Sequence, residues 1–137
     1  MKPISSAWLA AANDDLVLIQ EIMSNETLTH LVAFHAQQAI EKSFKALLEE
    51  REGIVPRIHT LENLLVRITK YTVIDAELDL LEDLDKLYTD ARYPADFGLL
   101  PDGKPTVEEA AAFNDLAVYI HEKIKLELSD TSDQGRY

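Results

Sequence analysis

Apolar residues recur at intervals of three and four along most of the chain, the spacing that is typical of amphipathic α-helices. Ser5 or Ser6 is placed to cap the start of the first segment. Glycine and proline fall almost entirely between the segments and mark their boundaries. The predicted helices cover about residues 5–24, 27–50, 60–68, 75–92 and 106–128. We expect an all-α protein, an antiparallel up-and-down bundle of about four to five helices.

Each predicted helix has one apolar side that we expect to be buried. Thr60 is placed to cap the third helix, and Thr106 and Glu109 have the spacing of a capping box at the start of the last. Residues 1–128 are expected to form one domain, followed by a small, polar and disordered tail at 129–137. Apart from the second helix, the buried sides should hold Trp8, Ala12, Leu16, Ile19, Met23, Leu61, Leu64, Leu65, Ile68, Leu78, Leu81, Leu84, Leu87, Tyr88, Ala110, Phe113, Ala117, Ile120, Ile124 and Leu128.

The connection from Tyr93 to Pro105 is unusually long for a bundle and is rich in proline and glycine. Loops of about a dozen residues are uncommon in compact domains and often functional. A simple link across the end of the bundle, held down by apolar side chains, explains the segment equally well. Both interpretations stay open.

Composition narrows the class of protein. The chain has 137 residues, no cysteine and a net charge of −12, from 13 Lys+Arg against 25 Asp+Glu. Disulfides and thiolate metal sites are therefore excluded, and extended binding of nucleic acid is disfavoured. We expect a cytoplasmic protein, because no signal peptide or membrane span is apparent. The predicted fourth helix is strongly acidic, which favours a solvated face or a docking surface for a basic partner.

The second helix carries the most informative polar pattern. On a helical wheel, one side is apolar, and an opposite stripe holds His35, Gln38, Lys42, Lys45 and Glu49. Gln37 and Glu41 lie at the margin of the buried side, four residues apart and therefore adjacent. The apolar side itself comprises Ala36, Ile40, Phe44, Leu47 and Leu48.

A carboxylate at such a margin needs a cation or several hydrogen-bond donors. Arg92 is a natural partner for Glu41, since a guanidinium binds a carboxylate with two parallel hydrogen bonds. Gln37, Glu41 and Arg92 then form either a structural clamp or the lining of a pocket. In a pocket, Arg92 would meet a phosphate while Tyr88 and Tyr93 offer flat faces to a base.

Other chemistries find little support in the sequence. No Glu-x-x-His pair, second zincin histidine, glycine-rich phosphate loop or Gly-x-Ser-x-Gly motif is present, so we expect no metal and no cofactor. His59 is interpreted as part of a helix start, and His30 and His121 are expected on solvated faces. His35 is the one histidine retained as a candidate ligand, because it shares a stripe with Gln38 and Lys42.

Three phrases together resemble the HEPN family, in its nucleotidyltransferase-associated Arg-Tyr-Pro branch. They are the run from His35 to Lys42, the helix opening His59-Thr60-Leu61, and Ala91-Arg92-Tyr93-Pro94. The resemblance implies a bundle of four or five helices that is often a homodimer. It also implies frequent pairing with a separately encoded minimal nucleotidyltransferase.

Many HEPN proteins are ribonucleases with an arginine, four to six intervening residues and a histidine, and this sequence departs from that signature. After Arg92 the corresponding positions hold Phe97, Gly98 and Leu99. We therefore expect a non-catalytic module that binds a nucleotide or substrate and acts with a nucleotidyltransferase. The alternatives are a divergent ribonuclease or toxin of a toxin–antitoxin pair, and a purely structural assembly protein.

Overall fold

The computed structural model describes residues 1–58, 60–89 and 103–134, except for the side chains of residues 88, 89 and 130–134. These ranges contain five α-helices and one 3₁₀ turn, which confirms the all-α class and the helical bundle. The elements are α1 Pro3–Ile22, a 3₁₀ turn at Glu26–Leu28, α2 Thr29–Glu52, α3 Leu61–Ile68, α4 Leu78–Thr89 and α5 Val107–Gln134. None of the described helices is long and apolar enough to cross a lipid bilayer.

Helix α2 is the central element of the bundle, because it packs against α1, α3, α4 and α5. Its apolar residues Ile40, Phe44 and Leu47 are completely buried. Burying each such side chain contributes about 1.5–3 kcal/mol relative to leaving it in water. The helix is enclosed so widely that its buried residues include polar ones, among them Gln37, Ser43 and Lys45.

The predicted apolar stripes are largely confirmed. Trp8 and Met23 are partly buried against the core, and the three residues predicted between them are buried. All residues predicted for the buried side of α3 and of α5 are buried as well. Leu78 is an exception: it is the first residue of α4 and is 57% exposed, so its predicted burial was wrong.

Two of the predicted helix starts need correction. Helix α1 begins at Pro3, whose fixed φ and missing N–H suit a first turn, and Ser5 is buried within the helix rather than capping it. Thr60 does occupy the N-cap position of α3, but its side chain makes no capping hydrogen bond. Instead, Asp85 from α4 accepts hydrogen bonds from the backbone N–H groups of Leu61 (2.7 Å) and Glu62 (3.2 Å).

The capping box at the start of α5 is confirmed. The Glu109 carboxylate accepts from the Thr106 backbone N–H at 2.9 Å, and the Thr106 hydroxyl accepts from the Glu109 N–H at 3.0 Å. At its other end α5 continues to Gln134, past the expected helix end at Leu128. Residues 135–137 lie outside the described residues.

Polar contacts fix the remaining ends of the bundle. Gly53 ends α2 with a φ of 73°, a left-handed conformation in which a side chain would be strained. The Lys2 ammonium donates to the Glu49 carbonyl in the last turn of α2, where a cation also complements the helix dipole. Only the end of the predicted 93–105 loop is described, and there the Lys104 ammonium donates to the Thr27 carbonyl at 3.0 Å.

Candidate functional site

A buried carboxylate on α1 organises the polar stripe of α2. Asp15 Oδ1 accepts a hydrogen bond from His35 Nδ1 at 2.8 Å, and Asp15 Oδ2 accepts one from Lys42 Nζ at 2.8 Å. The side chain of Asp15 is 9% exposed, whereas those of His35 and Lys42 are 20% and 26% exposed. Asp15 thus anchors two side chains that reach the surface.

A second group of polar contacts runs along α2 itself, from Gln38 to Lys45. Gln38 Nε2 donates to Gln37 Oε1 at 2.7 Å, and Gln37 Nε2 donates to Glu41 Oε1 at 3.2 Å. Lys45 Nζ donates to Glu41 Oε2 at 3.1 Å and lies 5.7 Å from the ring centroid of Trp8, a cation–π arrangement. We use the name α2 polar strip for the residues that these polar contacts connect on α2, together with Asp15 of α1: Asp15, His35, Gln37, Gln38, Glu41, Lys42 and Lys45.

A third acidic residue, Asp85 of α4, comes near the strip. Burial raises the pKa of the Asp85 carboxyl; its two backbone hydrogen bonds oppose that shift, and the nearby charge of Glu41 adds to it. Because like charges disfavour each other, the Glu41–Lys45 ion pair also limits repulsion between Glu41 and Asp85. The strip therefore comes close to Asp85 of α4.

The structure places the sequence-predicted site residues in two groups. His35, Gln37, Gln38, Glu41 and Lys42 all belong to the α2 polar strip. Arg92 and Tyr93 lie outside the described residues, and Tyr88 is described only as part of helix α4, without its side chain. The pairing of Arg92 with Glu41 is therefore untested and stays a prediction.

Two predicted placements were wrong. Lys45 was placed on the polar stripe opposite the apolar side of α2 but is 5% exposed, because Trp8 of α1 packs near it. His121 was expected on a solvated face but is 7% exposed, and its Nε2 donates to the Leu9 carbonyl at 3.2 Å. Burial lowers the pKa of His121, so its neutral form is favoured in the folded protein. Among the described residues, no cluster of His, Asp and Glu could hold a metal ion.

Sequence reasoning overlooked Asp15, which holds the strip together. A signal for it exists: Asp15 lies three residues after Ala12 and four before Ile19, and therefore on the buried side of α1. A carboxylate on an apolar stripe requires hydrogen-bonding or charged partners. His35 and Lys42, two turns apart on the next helix, could have been proposed as those partners. Asp85 shows the same signal, four residues after the buried Leu81.

These observations define a helical-bundle domain with a half-buried polar strip on its central helix. The chain belongs to the HEPN domain family, whose model matches residues 5–126. It is also similar to an archaeal HEPN homologue of known crystal structure, with 29% sequence identity and a TM-score of 0.64; the match covers 91% of this chain and 97% of that one. The comparison with curated proteins gives no match.

Proposed function

We propose that this chain is a non-catalytic HEPN module of the Arg-Tyr-Pro branch that binds a nucleotide or a nucleotide-bearing substrate. The observation that carries the proposal is the α2 polar strip, in which His35, Gln38 and Lys42 are held in place and yet partly exposed. Side chains that are fixed before the ligand arrives lose less conformational entropy on binding. HEPN domains include nucleotide-binding modules, which agrees with this assignment.

The proposed ligand contacts extend from the strip to the end of α4. Arg92 would bind a phosphate, and Tyr88 and Tyr93 would stack on a base. Gln37 and Glu41 would orient this end of the strip. The net charge of −12 favours a single nucleotide over a long polyanion, whose binding depends on many neutralised phosphates.

The sequence also supports a binding role over catalysis. No arginine in the chain is followed by a histidine after four to six residues, so the HEPN ribonuclease signature is absent. General acid–base cleavage of RNA would lack that histidine. We infer that the module works in the cytoplasm with a separately encoded minimal nucleotidyltransferase, as a homodimer. The frequent dimerisation of HEPN domains supports the homodimer.

Isothermal titration calorimetry tests the binding proposal. The chain is titrated with AMP, ATP, GTP and, as a control, adenosine; we expect binding of at least one nucleotide and weaker binding of the nucleoside. Arg92→Ala should weaken binding about tenfold or more, since a charge-assisted hydrogen bond contributes about 1.5–3 kcal/mol. Absence of heat for every nucleotide would contradict the proposal.

The partner is tested separately. A tagged chain is co-expressed with the product of the adjacent gene and with an unrelated minimal nucleotidyltransferase as a control. We expect selective co-purification with the adjacent product, if that is a nucleotidyltransferase. Light scattering after gel filtration should give the mass of a dimer of the 15.5 kDa chain. A monomer that captures neither protein would refute both the partner and the dimer.

A further inference from the structure

Two side chains of α2, His35 and Lys42, share one buried carboxylate from α1. His35 and Lys42 are seven residues apart, almost two full helical turns, and thus on the same face of α2. Each hydrogen-bonds a different oxygen of Asp15, so both side chains are drawn toward one point on the α1–α2 seam.

The hydrogen bond to Asp15 also determines which ring nitrogen of His35 carries the proton and which one points away from Asp15. A carboxylate accepts, so His35 Nδ1 carries the proton, and Nε2 lies on the far side of the ring from Asp15. The edge of the His35 ring is further constrained by Phe34, whose ring centroid lies 5.0 Å away at an interplanar angle of 76°. Lys42 has three N–H donors, and Asp15 accepts from one of them.

We propose that Asp15 is a positioning residue that aims His35 and Lys42 at the phosphate of the bound nucleotide. This inference rests on the proposed function and adds a defined phosphate subsite on the α1–α2 seam. The Lys42 ammonium supplies charge-assisted donors, the His35 ring shares the same small area, and the Asp15 carboxylate holds both side chains in place. The remaining charged pair of α2 nearby, Glu41 with Lys45, is internally balanced.

Matched variants test the subsite by calorimetry with AMP, inorganic phosphate and adenosine as probes. Lys42→Met keeps the apolar stem and removes the charge; Lys86→Met removes the same charge from an exposed position on α4 and serves as the control. Asp15→Asn keeps the shape of the positioning residue without its charge. We expect Lys42→Met and Asp15→Asn to weaken AMP binding about tenfold, as loss of a charge-assisted contact predicts, and Lys86→Met to change it less than threefold.

Nitrogen-15 spectra of the histidine rings separate positioning from a merely structural role. His35→Gln assigns the His35 signals among the four histidines of the chain. In the unaltered chain we expect a proton fixed on Nδ1, and a shift of the Nε2 resonance on adding phosphate. In Asp15→Asn the preference for the Nδ1 proton should weaken, because a neutral amide oxygen is a poorer acceptor than a carboxylate, and Asp15→Glu should restore part of it.

The outcomes distinguish this inference from the proposed function. If AMP binds but Lys42→Met behaves like Lys86→Met, the subsite is refuted and nucleotide binding stands. If AMP gives no heat while inorganic phosphate still moves the Nε2 resonance, the subsite stands and the proposed function fails. If neither probe has an effect, both are wrong. Should Asp15→Asn fail to fold, Lys42→Met and the spectra of the unaltered chain decide.

Discussion

The cap that Asp85 places on α3 provides a sharp test of how this bundle is held together. Asp85 is 8% exposed and accepts hydrogen bonds from the first-turn N–H groups of Leu61 and Glu62. Helix α3 comprises only residues 61–68, too short to be stable alone, so it depends on its cap and on packing against α2 and α4. We therefore predict that Asp85→Ala destabilises the protein as a whole.

The magnitude follows from opposing effects. Loss of an N-cap side chain typically costs about 0.5–2 kcal/mol, and a buried donor left without an acceptor costs about 1–3 kcal/mol. Against this, removing Asp85 relieves the desolvation that raises the pKa of its carboxyl. We expect a net loss of about 2 kcal/mol in the free energy of unfolding for Asp85→Ala. Asp85→Asn, which keeps one acceptor oxygen, should lose about half as much.

Urea denaturation followed by circular dichroism measures these values, with Asp79→Ala as the control because Asp79 is an exposed carboxylate in the first turn of the same helix. The control should stay within about 0.5 kcal/mol of the unaltered chain. If Asp85→Ala also changes stability by less than that, the cap is not energetically important. The buried Thr60 hydroxyl would then have taken over as acceptor.

The pH dependence gives an independent check on the same residue. Because burial raises the pKa of Asp85 above its ordinary 3.8, the folded state keeps its proton at pH values where the unfolded state has lost it. The stability that the Asp85 carboxyl contributes therefore falls as pH rises from its ordinary pKa of 3.8 through its raised pKa in the folded state. Asp85→Asn cannot titrate, so its stability relative to the unaltered chain should improve across that window. A difference that is constant with pH would contradict the raised pKa.

Three further results are expected. Burial lowers the pKa of His121, so the unfolded state is protonated first and the unaltered chain should lose stability as pH falls below about 6.5. His121→Gln should remove this loss. Melting temperatures of both chains from about pH 7 to about pH 5 measure it, and the same pH dependence in both chains would refute it. Lys45→Met removes the ion pair with Glu41 and should lower the free energy of unfolding, measured by urea denaturation, by about 1–2 kcal/mol. An unchanged urea midpoint would show that the pair contributes little to stability. RNA incubated with the purified chain and a chelator should stay intact; cleavage that Arg92→Ala abolishes would favour the ribonuclease alternative.

Local spacing was sufficient to predict the helices and most of the core. The stripes of α3 and α5 follow from periods of three and four residues, and the capping box at Thr106 and Glu109 acts within four consecutive residues. Such features depend on neighbours in the chain, which a sequence displays directly. The all-α class and the helical bundle were predictable for the same reason.

The errors at Thr60 and Lys45 concern contacts between residues far apart in the chain. Thr60 has good capping chemistry, yet a carboxylate from α4 takes that role because tertiary packing brings Asp85 to the same N–H groups. Lys45 is polar on a wheel, but Trp8 of α1 covers it. A wheel drawn for one helix assumes a single buried side, and α2 is enclosed by four other helices.

The enclosure of α2 also explains where a binding site can form. A helix that contacts α1, α3, α4 and α5 leaves few of its polar residues exposed, so each of them must be paired within the protein. Internal pairing makes the strip rigid. The hydrogen bonds to Asp15 also keep the partly exposed His35 and Lys42 from pairing with other acidic residues. If exchanging Asp15 for Asn left both stability and ligand affinity unaltered, this link between pairing and binding would be wrong. The strip would then be ordinary surface, and binding would have to depend on the residues that follow α4.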